Sequence, residues 1–511
     1  MEKQKLTIDD MAVFCKRKGF VYPNSEIYGG ISGFYDFGHL GVELKNNIKQ
    51  QWWKIFVQER EDIAGIDGSI VNHPTVWKAS GHVDGFTDVL VDCKKCNARF
   101  RADTLIEDKL KIETAGMSIS DMDSKIKEHK LRCTKCGNAE LGEPKMFNLM
   151  FSTNVGPVSG SVAYLRPETA QVIFANFKLV QENARMKLPF GIAQIGKSFR
   201  NEISPRDFLF RMREFEQMEI EYFVHPEKQN ECAFIDDVID HEMNVYSAEM
   251  QGHGKKHEKM SIKECLSKKI IKTKWHAYWL ASMHQWFVNL GVKPDHFRIR
   301  QHVHDELSHY ALDTWDLEYE FPFGWKELQG LSNRTDFDLK QHIEHSKTDL
   351  SIFDEETKKK IIPHVICEPS MGVERAFLVF LFDAYHFDKS RENVVLKLHP
   401  KLAPVKLGVF PLVSNKKEVV DKAREVYNML KKEWTCSFDV SGSIGRRYAR
   451  MDEIGAYACI TIDFEGLEDE TVTIRSRDTT EQARVKITEL KDVIIRMFEG
   501  EELSKLGKIV E

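Results

Sequence analysis

The chain has 511 residues, enough for two or three domains with a sizeable core. Its 73 Lys and Arg against 79 Asp and Glu exclude a global basic field for coating nucleic acid, so a polyanion would have to be met by local patches. Ten cysteines in a chain of this size exclude a secreted disulfide framework. The absence of an apolar run of about 18 residues excludes a membrane-spanning helix. The opening MEKQKLTIDD is polar and acidic without signal or transit character, so a soluble cytoplasmic protein is expected.

Residues 6–18 read as a first helix. The run from Gly29 through Gly30, Ser32, Gly33, Phe34, Tyr35 and Phe37 to Gly38 is a glycine- and aromatic-rich loop. Such loops can cradle phosphate, but this one lacks the Lys-Ser/Thr ending of a P-loop, and a tight turn packing aromatics reads equally well. Residues 39–61 read as a long helix, because Leu40, Leu44, Ile48, Trp52 and Phe56 recur every four residues as one stripe. Adjacent Trp52 and Trp53 point to different helical faces, which favours burial on two sides. A strand over 69–72 ends at Pro74.

Cys93-Lys94-Lys95-Cys96 and Cys133-Thr134-Lys135-Cys136 form paired knuckles. Two residues between thiols let both sulfurs of a knuckle reach one tetrahedral ion, so these four cysteines predict structural Zn2+. A redox role would not explain two copies flanking one insertion. The interval between them holds a charged helical segment near 118–130. Cys15, Cys232, Cys265, Cys367, Cys436 and Cys459 are scattered and read as packing residues.

The run 147–165 leads to Arg166-Pro167-Glu168, where Pro167 can open a helix reaching about residue 185, with Glu168 favouring its dipole. Residues 191–223 read as a β-hairpin with a long polar connection containing Pro205. Ala193, Ile195 and Phe199 share one face of its first strand, and Gln194, Ser198, Arg200 and Glu202 the other. On the second strand Met218, Ile220 and Tyr222 oppose Phe215, Gln217, Glu219 and Glu221. Clustered Arg and Glu on a sheet are costly unless paired or facing a wet cleft. The charged face is therefore read as the floor of a pocket for a polar, anionic ligand, with a solvated edge hairpin as the competing reading.

Residues 225–297 read as an insertion rich in charge and helix formers. Gly252 and Gly254 break any helix that would pair His253 with His257, which leaves a solvated loop. Residues 274–290 read as an amphipathic helix whose Trp275, Tyr278, Trp279 and Trp286 pack a core. From Tyr310 to 339, Asp316, Glu318 and Glu320 alternate with Trp315, Leu317, Tyr319 and Phe321 as a strand with an acidic face. Residues 365–368 are a short strand and 371–384 a helix. Arg375 sits one turn into that helix, where a cation opposes the macrodipole and is better explained by a bound phosphate. Beyond about Pro400, strands over 405–411, 435–440, 456–462 and 471–476 alternate with helices over 416–434, 445–454 and 480–498, which defines a small α/β domain. The middle helix carries Arg446, Arg447 and Arg450.

Phe199-Arg200-Asn201-Glu202 followed by Arg213-Glu214-Phe215 resembles motif 2 of the class II aminoacyl-tRNA synthetases. Arg166-Pro167-Glu168-Thr169-Ala170-Gln171, Gly324 to Leu328 through Asn333-Arg334-Thr335, and Glu368-Pro369-Ser370 running into Gly372-Val373-Glu374-Arg375 narrow the resemblance to the glycyl enzymes of the homodimeric type. It extends from about Phe20 to the end. It implies an α+β class II synthetase catalytic domain, an antiparallel sheet flanked by helices, over 1–400. Insertions would lie at about 90–140, a zinc knuckle, and about 225–305, helical, and an α/β anticodon-binding domain would follow over 401–511. The long helix and following strand would be motif 1, at a homodimer interface.

The implied activity is that of a glycine–tRNA ligase, which forms glycyl-adenylate from glycine and ATP with Mg2+ and passes the glycyl group to tRNA(Gly). By the same resemblance Arg200 binds the α-phosphate and Arg375 the γ-phosphate, and with Glu202 they form the catalytic set. Phe215 stacks on adenine, and Glu202 and Arg211 flank the nucleotide. Asn201, Phe210, Met212, Arg213, Glu214, Leu328, Gly372, Val373 and Glu374 complete the ATP site, and Glu327 contacts magnesium or ATP. Glu168, Glu219, Glu368 and Ser370 surround the amino acid, Arg101 reaches toward it, and Glu216, Gln217, Met218, Pro369 and Met371 adjoin it. A non-catalytic accessory protein on this scaffold would lack a motif arginine, yet Arg200 and Arg375 are both present. A sister enzyme for another amino acid is disfavoured by the glycyl-like contexts of Glu168 and Glu368.

Overall fold

The computed structural model describes residues 6–112, 114, 116–157, 162–308 and 311–510. Residues 1–5 of the polar opening, 158–161 of the run up to Leu165, and Tyr310 lie outside these. The central sheet has nine strands: β1 (Ile63–Ile66), β2 (Phe190–Phe199), β3 (Glu214–Val224), β4 (Glu242–Tyr246), β5 (Glu258–Ser261), β6 (Phe297–Gln301), β7 (Asp313–Phe321), β8 (Gly324–Asn333) and β9 (His364–Gly372). They lie in the order β5-β4-β6-β7-β8-β9-β3-β2-β1, antiparallel except between β1 and β2 and between β4 and β6.

The hairpin forms as its alternation requires, with β2 and β3 paired from Phe190↔Phe223 to Phe199↔Glu214. Met218, Ile220 and Tyr222 are buried in the main core. That core lies on one face of the sheet beneath α1 (His39–Trp53), whose stripe of Leu40, Leu44, Ile48 and Trp52 is fully packed and continues to Phe56. On the other face α2 (Ala170–Asn183) packs Phe174 and Phe177 against Phe190, Ile192 and Phe223. Along this second face each hairpin strand turns from apolar to polar, and the polar half is left open.

Three expectations change. The strand after α1 that joins the sheet is β1, and Val71–Asn72 is a short strand of a separate small sheet. Gly65 hides β1 from a strand reading: a Cβ there would fall 2.4 Å from the Trp53 ring, so the glycine serves a close approach. The segment expected as a helical insertion supplies β4, β5 and β6, which extend the sheet. Its helix α3 (Lys274–Asn289) is buried on nearly every side rather than on one stripe, since Trp275, His276, Trp279, Met283, His284 and Trp286 are all inside. Thirdly, α2 begins at Ala170, not at Pro167. The Thr169 amide donates to Gln217 Oε1 at 3.1 Å, so side chains of β3 hold this approach to the helix.

Lys45 is 5% exposed and joins three elements. Its Nζ lies 2.6 Å from both Glu216 on β3 and Glu374 on α4 (Val373–Ala384), and Glu374 also accepts from the Glu216 amide at 2.9 Å. Beyond the central sheet, β10 (Leu407–Pro411), β11 (Cys436–Phe438), β12 (Ala458–Ile462), β13 (Thr471–Ser476), β14 (Gln482–Lys486) and β15 (Lys508–Val510) form a six-stranded sheet in the order β11-β10-β12-β13-β14-β15 with its own core. The expected basic helix runs over Ile444–Ile454. Its Arg447 is 1% exposed and donates to the Pro411 carbonyl at 2.6 Å, and Arg450 is paired with Asp439. Arg446 is exposed, so the helix presents less charge than its sequence suggests.

Removing Lys45 leaves Glu374 uncompensated in a buried site and Glu216 with only Lys49, 3.1 Å away. Lys45→Ala should lower the unfolding free energy by about 3–5 kcal/mol, read as a shift of the denaturant midpoint, whereas Lys49→Ala at the edge of the same cluster should change it by less than about 1 kcal/mol.

Candidate active site

The open polar face lies on three adjacent strands, β3, β9 and β8. Residues of one parity project together: Gln217 and Glu219 on β3, Glu368, Ser370 and Gly372 on β9, and Leu328, Gly330 and Ser332 on β8. The register sets Glu219 against Ser370, Ser370 against Gly330, and Glu368 against Ser332. Together with Arg200, Phe215 and Arg375 they border a cavity of about 410 Å³.

One end of the cavity is acidic. Glu168, Glu219 and Glu368 gather there with Arg334. Arg334 is 3% exposed and donates to Glu368 at 2.8 Å and, through two bonds of 2.8 Å, to Asp338. Burial pushes the carboxyls of Glu219, Glu221 and Glu368 upward while Arg334 opposes the shift. Burial works against ionisation of Glu168 as well, but there His82, 3.4 Å away, and Arg334 prevail and hold the carboxyl well below its ordinary range. Gln171 orients this end, since its side-chain amide donates to Glu168 at 3.1 Å and to Asp338 at 3.0 Å.

The other end is cationic and aromatic. The Arg200 guanidinium is 5.4 Å from the Phe215 ring, and its Nε donates to the Pro167 carbonyl at 3.0 Å. Arg375 lies 4.5 Å over the Phe210 ring and donates to the Glu327 carbonyl at 2.9 Å. Glu202 pairs with Arg211 at 2.8 Å on the rim. A Cβ placed on Gly330 would sit 3.9 Å from carboxylate oxygens of both Asp316 and Glu327. Two oxygen donors thus converge beside the cavity, a donor set that suits Mg2+. The acidic face of β7 is largely paired, Asp316 with His302 at 2.8 Å and Glu318 with Arg298 at 2.5 Å. Burial pushes the Asp316 carboxyl up to about 6 against the His302 contact.

Several sequence-predicted residues lie elsewhere. Met218, Met371 and Val373 are in the core, and Pro369 is buried but not in the cavity wall. Glu214 pairs with Lys197, and Glu216 with Lys45 and Lys49. Asn201 binds the Leu149 carbonyl through its amide. Arg213 donates to the carbonyls of Ser32 and Glu202, so it anchors the glycine-rich loop. That loop is a turn with Gly29, Gly30 and Gly33 at positive φ. Arg101 pairs with Asp88 at 2.8 Å, outside the cavity wall. Arg166 is a buried strut: it donates to the carbonyls of Lys197 and Gly68, and a Cβ on Gly196 would fall 2.0 Å from its guanidinium. Gly330, Ser332 and Leu209 line the cavity without having been singled out. The period of two running back from Ser332 to Leu328 would have found the first two, whereas nothing local marks Leu209, His82 or Asp338.

The four cysteines of the two knuckles come together, with sulfurs within 4.8 Å of one another and two cross-knuckle pairs at 3.6 Å. Sulfurs at zinc-bonding distance around a tetrahedral ion are about 3.8 Å apart, so the cluster fits Zn2+. The other six cysteines are free and mostly buried.

The tRNA synthetase class II core domain (G, H, P, S and T) matches residues 159–384, and the anticodon binding domain matches residues 406–497. The fold is that of a class II tRNA synthetase core followed by an anticodon-binding domain. The chain is 46% identical over 506 residues to the glycine–tRNA ligase of Acetivibrio thermocellus, covering 97% of this chain and 98% of that one. It is 47% identical over 495 residues to the glycine–tRNA ligase of Caldanaerobacter subterraneus subsp. tengcongensis, covering 95% and 97%. The chain belongs to the glycine–tRNA ligase family. A crystal structure of prolyl-tRNA synthetase from Cryptosporidium parvum complexed with L-proline and AMP shares the fold at a TM-score of 0.55 and 15% identity, over 96% of this chain and 75% of that one.

The raised carboxyl of Asp316 has a consequence for stability. The folded state takes up its proton near pH 6, the unfolded chain only toward 3.8, so the ionised group disfavours folding above pH 6 and this is relieved on acidification. Between pH 6 and 4 the wild type should therefore gain about 1–2 kcal/mol relative to Asp316→Asn, measured as the difference between paired denaturation curves.

Proposed function

We propose that the chain is a glycine–tRNA ligase that forms glycyl-adenylate in this cavity and transfers the glycyl group to the terminal ribose of tRNA(Gly). The observation that carries the reading is the polarity of the cavity, with acids at one end, two arginines at the other and Phe215 near Arg200. An amino acid is a cation and an anion a few ångströms apart. Glu168, Glu219 and Glu368 would receive the ammonium, with Ser370 beside the α-carbon, and the carboxylate would then point toward the arginines. Glycine has no side chain to grip, so recognition must come from holding the ammonium and filling the space where a methyl would go.

The glycine carboxylate is ionised at neutral pH and needs no base. One of its oxygens attacks the α-phosphorus of ATP. The bond from that phosphorus to the bridging oxygen breaks, and pyrophosphate leaves with the electron pair. Arg200 would neutralise charge growing on the α-phosphoryl oxygens and Arg375 charge on the γ-phosphate, with Phe215 against adenine. Glu327, with Asp316 behind it, would hold Mg2+, whose chemistry is to neutralise the phosphate chain. A ribose hydroxyl of the tRNA then attacks the glycyl carbonyl, the bond from that carbonyl carbon to the phosphate oxygen breaks, and AMP departs with the hydroxyl's proton on its phosphate.

We further propose a catalytic unit over residues 1–400 and an anticodon-reading unit over 401–511, a homodimer formed through α1 and its neighbours, a cytoplasmic location, and a zinc module at residues 90–140 held by Cys93, Cys96, Cys133 and Cys136. Among the described residues, no helix is long and apolar enough to cross a membrane. ATP–pyrophosphate exchange with each of the twenty amino acids tests the reading directly: exchange should depend on glycine, and preference for another amino acid would overturn it.

Arg200→Ala and Arg375→Ala should each lower kcat for exchange by about 10²–10³-fold with melting temperatures near wild type, and near-normal exchange would remove the residue from the phosphate site. Purified protein should carry about one equivalent of zinc per chain by elemental analysis, and Cys133→Ala should lose it.

A further inference from the structure

Three buried carboxyl groups meet at the acid end, and the reading above uses only two of them. Oxygens of Glu219, Glu221 and Glu368 lie within 4.8 Å of one another. The register that sets Glu219 against Ser370 and Tyr222 against Cys367 puts Glu221 directly across from Glu368. Like charges so placed oppose strand pairing. The three acids differ in their partners. Glu368 accepts from Arg334, and Glu219 accepts from the Thr169 hydroxyl. Glu221 is 0% exposed, and neither of its oxygens has a hydrogen-bond partner among the described residues. It stands one row further along β3 than Glu219 and does not line the cavity.

The charged and titratable groups facing Glu221 are Glu219 on its own strand, Glu368 and Cys367 on β9, Arg334 at the end of β8, and Asp338 on the helix Phe337–Ser346. One guanidinium therefore faces three other acids, and it already donates to Asp338 and Glu368. A carboxylate left ionised without a donor in such a place neutralises instead. As the neutral acid it gains one O–H donor, and its nearest acceptors are the other two carboxylates.

We propose that Glu221 is a positioning residue for the amino acid: it remains protonated and turns its hydroxyl toward Glu368, so that Glu219 and Glu368 meet the ammonium as ionised, oriented acceptors. Burial and the facing Glu368 both push its carboxyl well above the ordinary range. The proposal rests on the acid end being the ammonium subsite. A cation held among the three acids is the opposing occupant.

The test uses the full-length enzyme, ATP–pyrophosphate exchange titrated with glycine, and two variants of similar size. Glu221→Gln keeps a donor; Glu221→Leu does not. The Gln variant should hold the glycine KM within about threefold of wild type, and the Leu variant should raise it at least about tenfold while the ATP KM stays within about twofold. A neutral acid does not titrate, so the pH profile of kcat/KM for glycine should superimpose for wild type and Gln variant. Infrared difference spectra should show a protonated-carboxyl C=O stretch at neutral pH in wild type that the Gln variant lacks, a readout that holds even if the Leu variant fails to fold. The proposal is overturned if Gln damages the glycine KM as much as Leu, if the Gln profile shifts, if the stretch is absent, or if wild type carries a metal beyond zinc that Glu221→Gln loses. Exchange that depends on another amino acid would sink the glycine reading, while the infrared band would still decide the state of Glu221.

Discussion

Arg334 is the constraint on which the site depends. Glu168, Glu219, Glu221, Glu368 and Asp338 converge on one corner of the central sheet, and its guanidinium faces all of them. Five acids cannot all be ionised beside one buried cation, so the corner has spare negative potential and at least one retained proton. A cation bound there would meet acceptors that the fold has already oriented and dried. The arrangement is unfavourable for the empty corner and would be relieved by a bound cation.

The remainder of the fold supplies rigidity around that corner. Lys45 ties α1 to β3 and α4 on the far face, and Glu374 in turn holds the Glu216 amide. The strands bearing the acids are thus clamped from behind by an ion cluster and by the tryptophans of α3. At the cationic end, Phe210 lies under Arg375, and both Phe86 and Phe215 lie near Arg200, so each guanidinium has an aromatic neighbour. His82, at the start of the short helix leading into the cysteine module, touches Glu168. The module's attachment and the acid end of the cavity are therefore adjacent, although Cys93 and Glu168 are far apart in sequence.

Local pattern carried much of this. The alternation of β3 told core residues from cavity residues, with Met218 and Ile220 buried on one side and Gln217 and Glu219 lining the cavity on the other. The four-residue stripe of α1 told its buried face, and the spacing of Cys93, Cys96, Cys133 and Cys136 told that four sulfurs would meet. Period and spacing are short-range properties that survive whatever the chain does elsewhere. Motif adjacency was a poorer guide. Glu216 and Met371 stand next to cavity residues in sequence and point away from the cavity, because neighbours on a strand face opposite sides.

Sequence by itself determined the hairpin of β2 and β3, the stripe of α1, the paired knuckles, the family resemblance and the two arginines. Tertiary structure alone decided that residues 242–301 would extend the sheet, that Arg447 would be buried rather than offered to a polyanion, and that Glu221 would stand opposite Glu368 with no donor. The reason lies in the range of the interactions. Whether a strand reads as hydrophobic or polar is written in its own residues. Whether a charged group ends paired, neutral or exposed depends on which distant strand lies beside it, and in this sheet that choice is set by registers between segments more than a hundred residues apart.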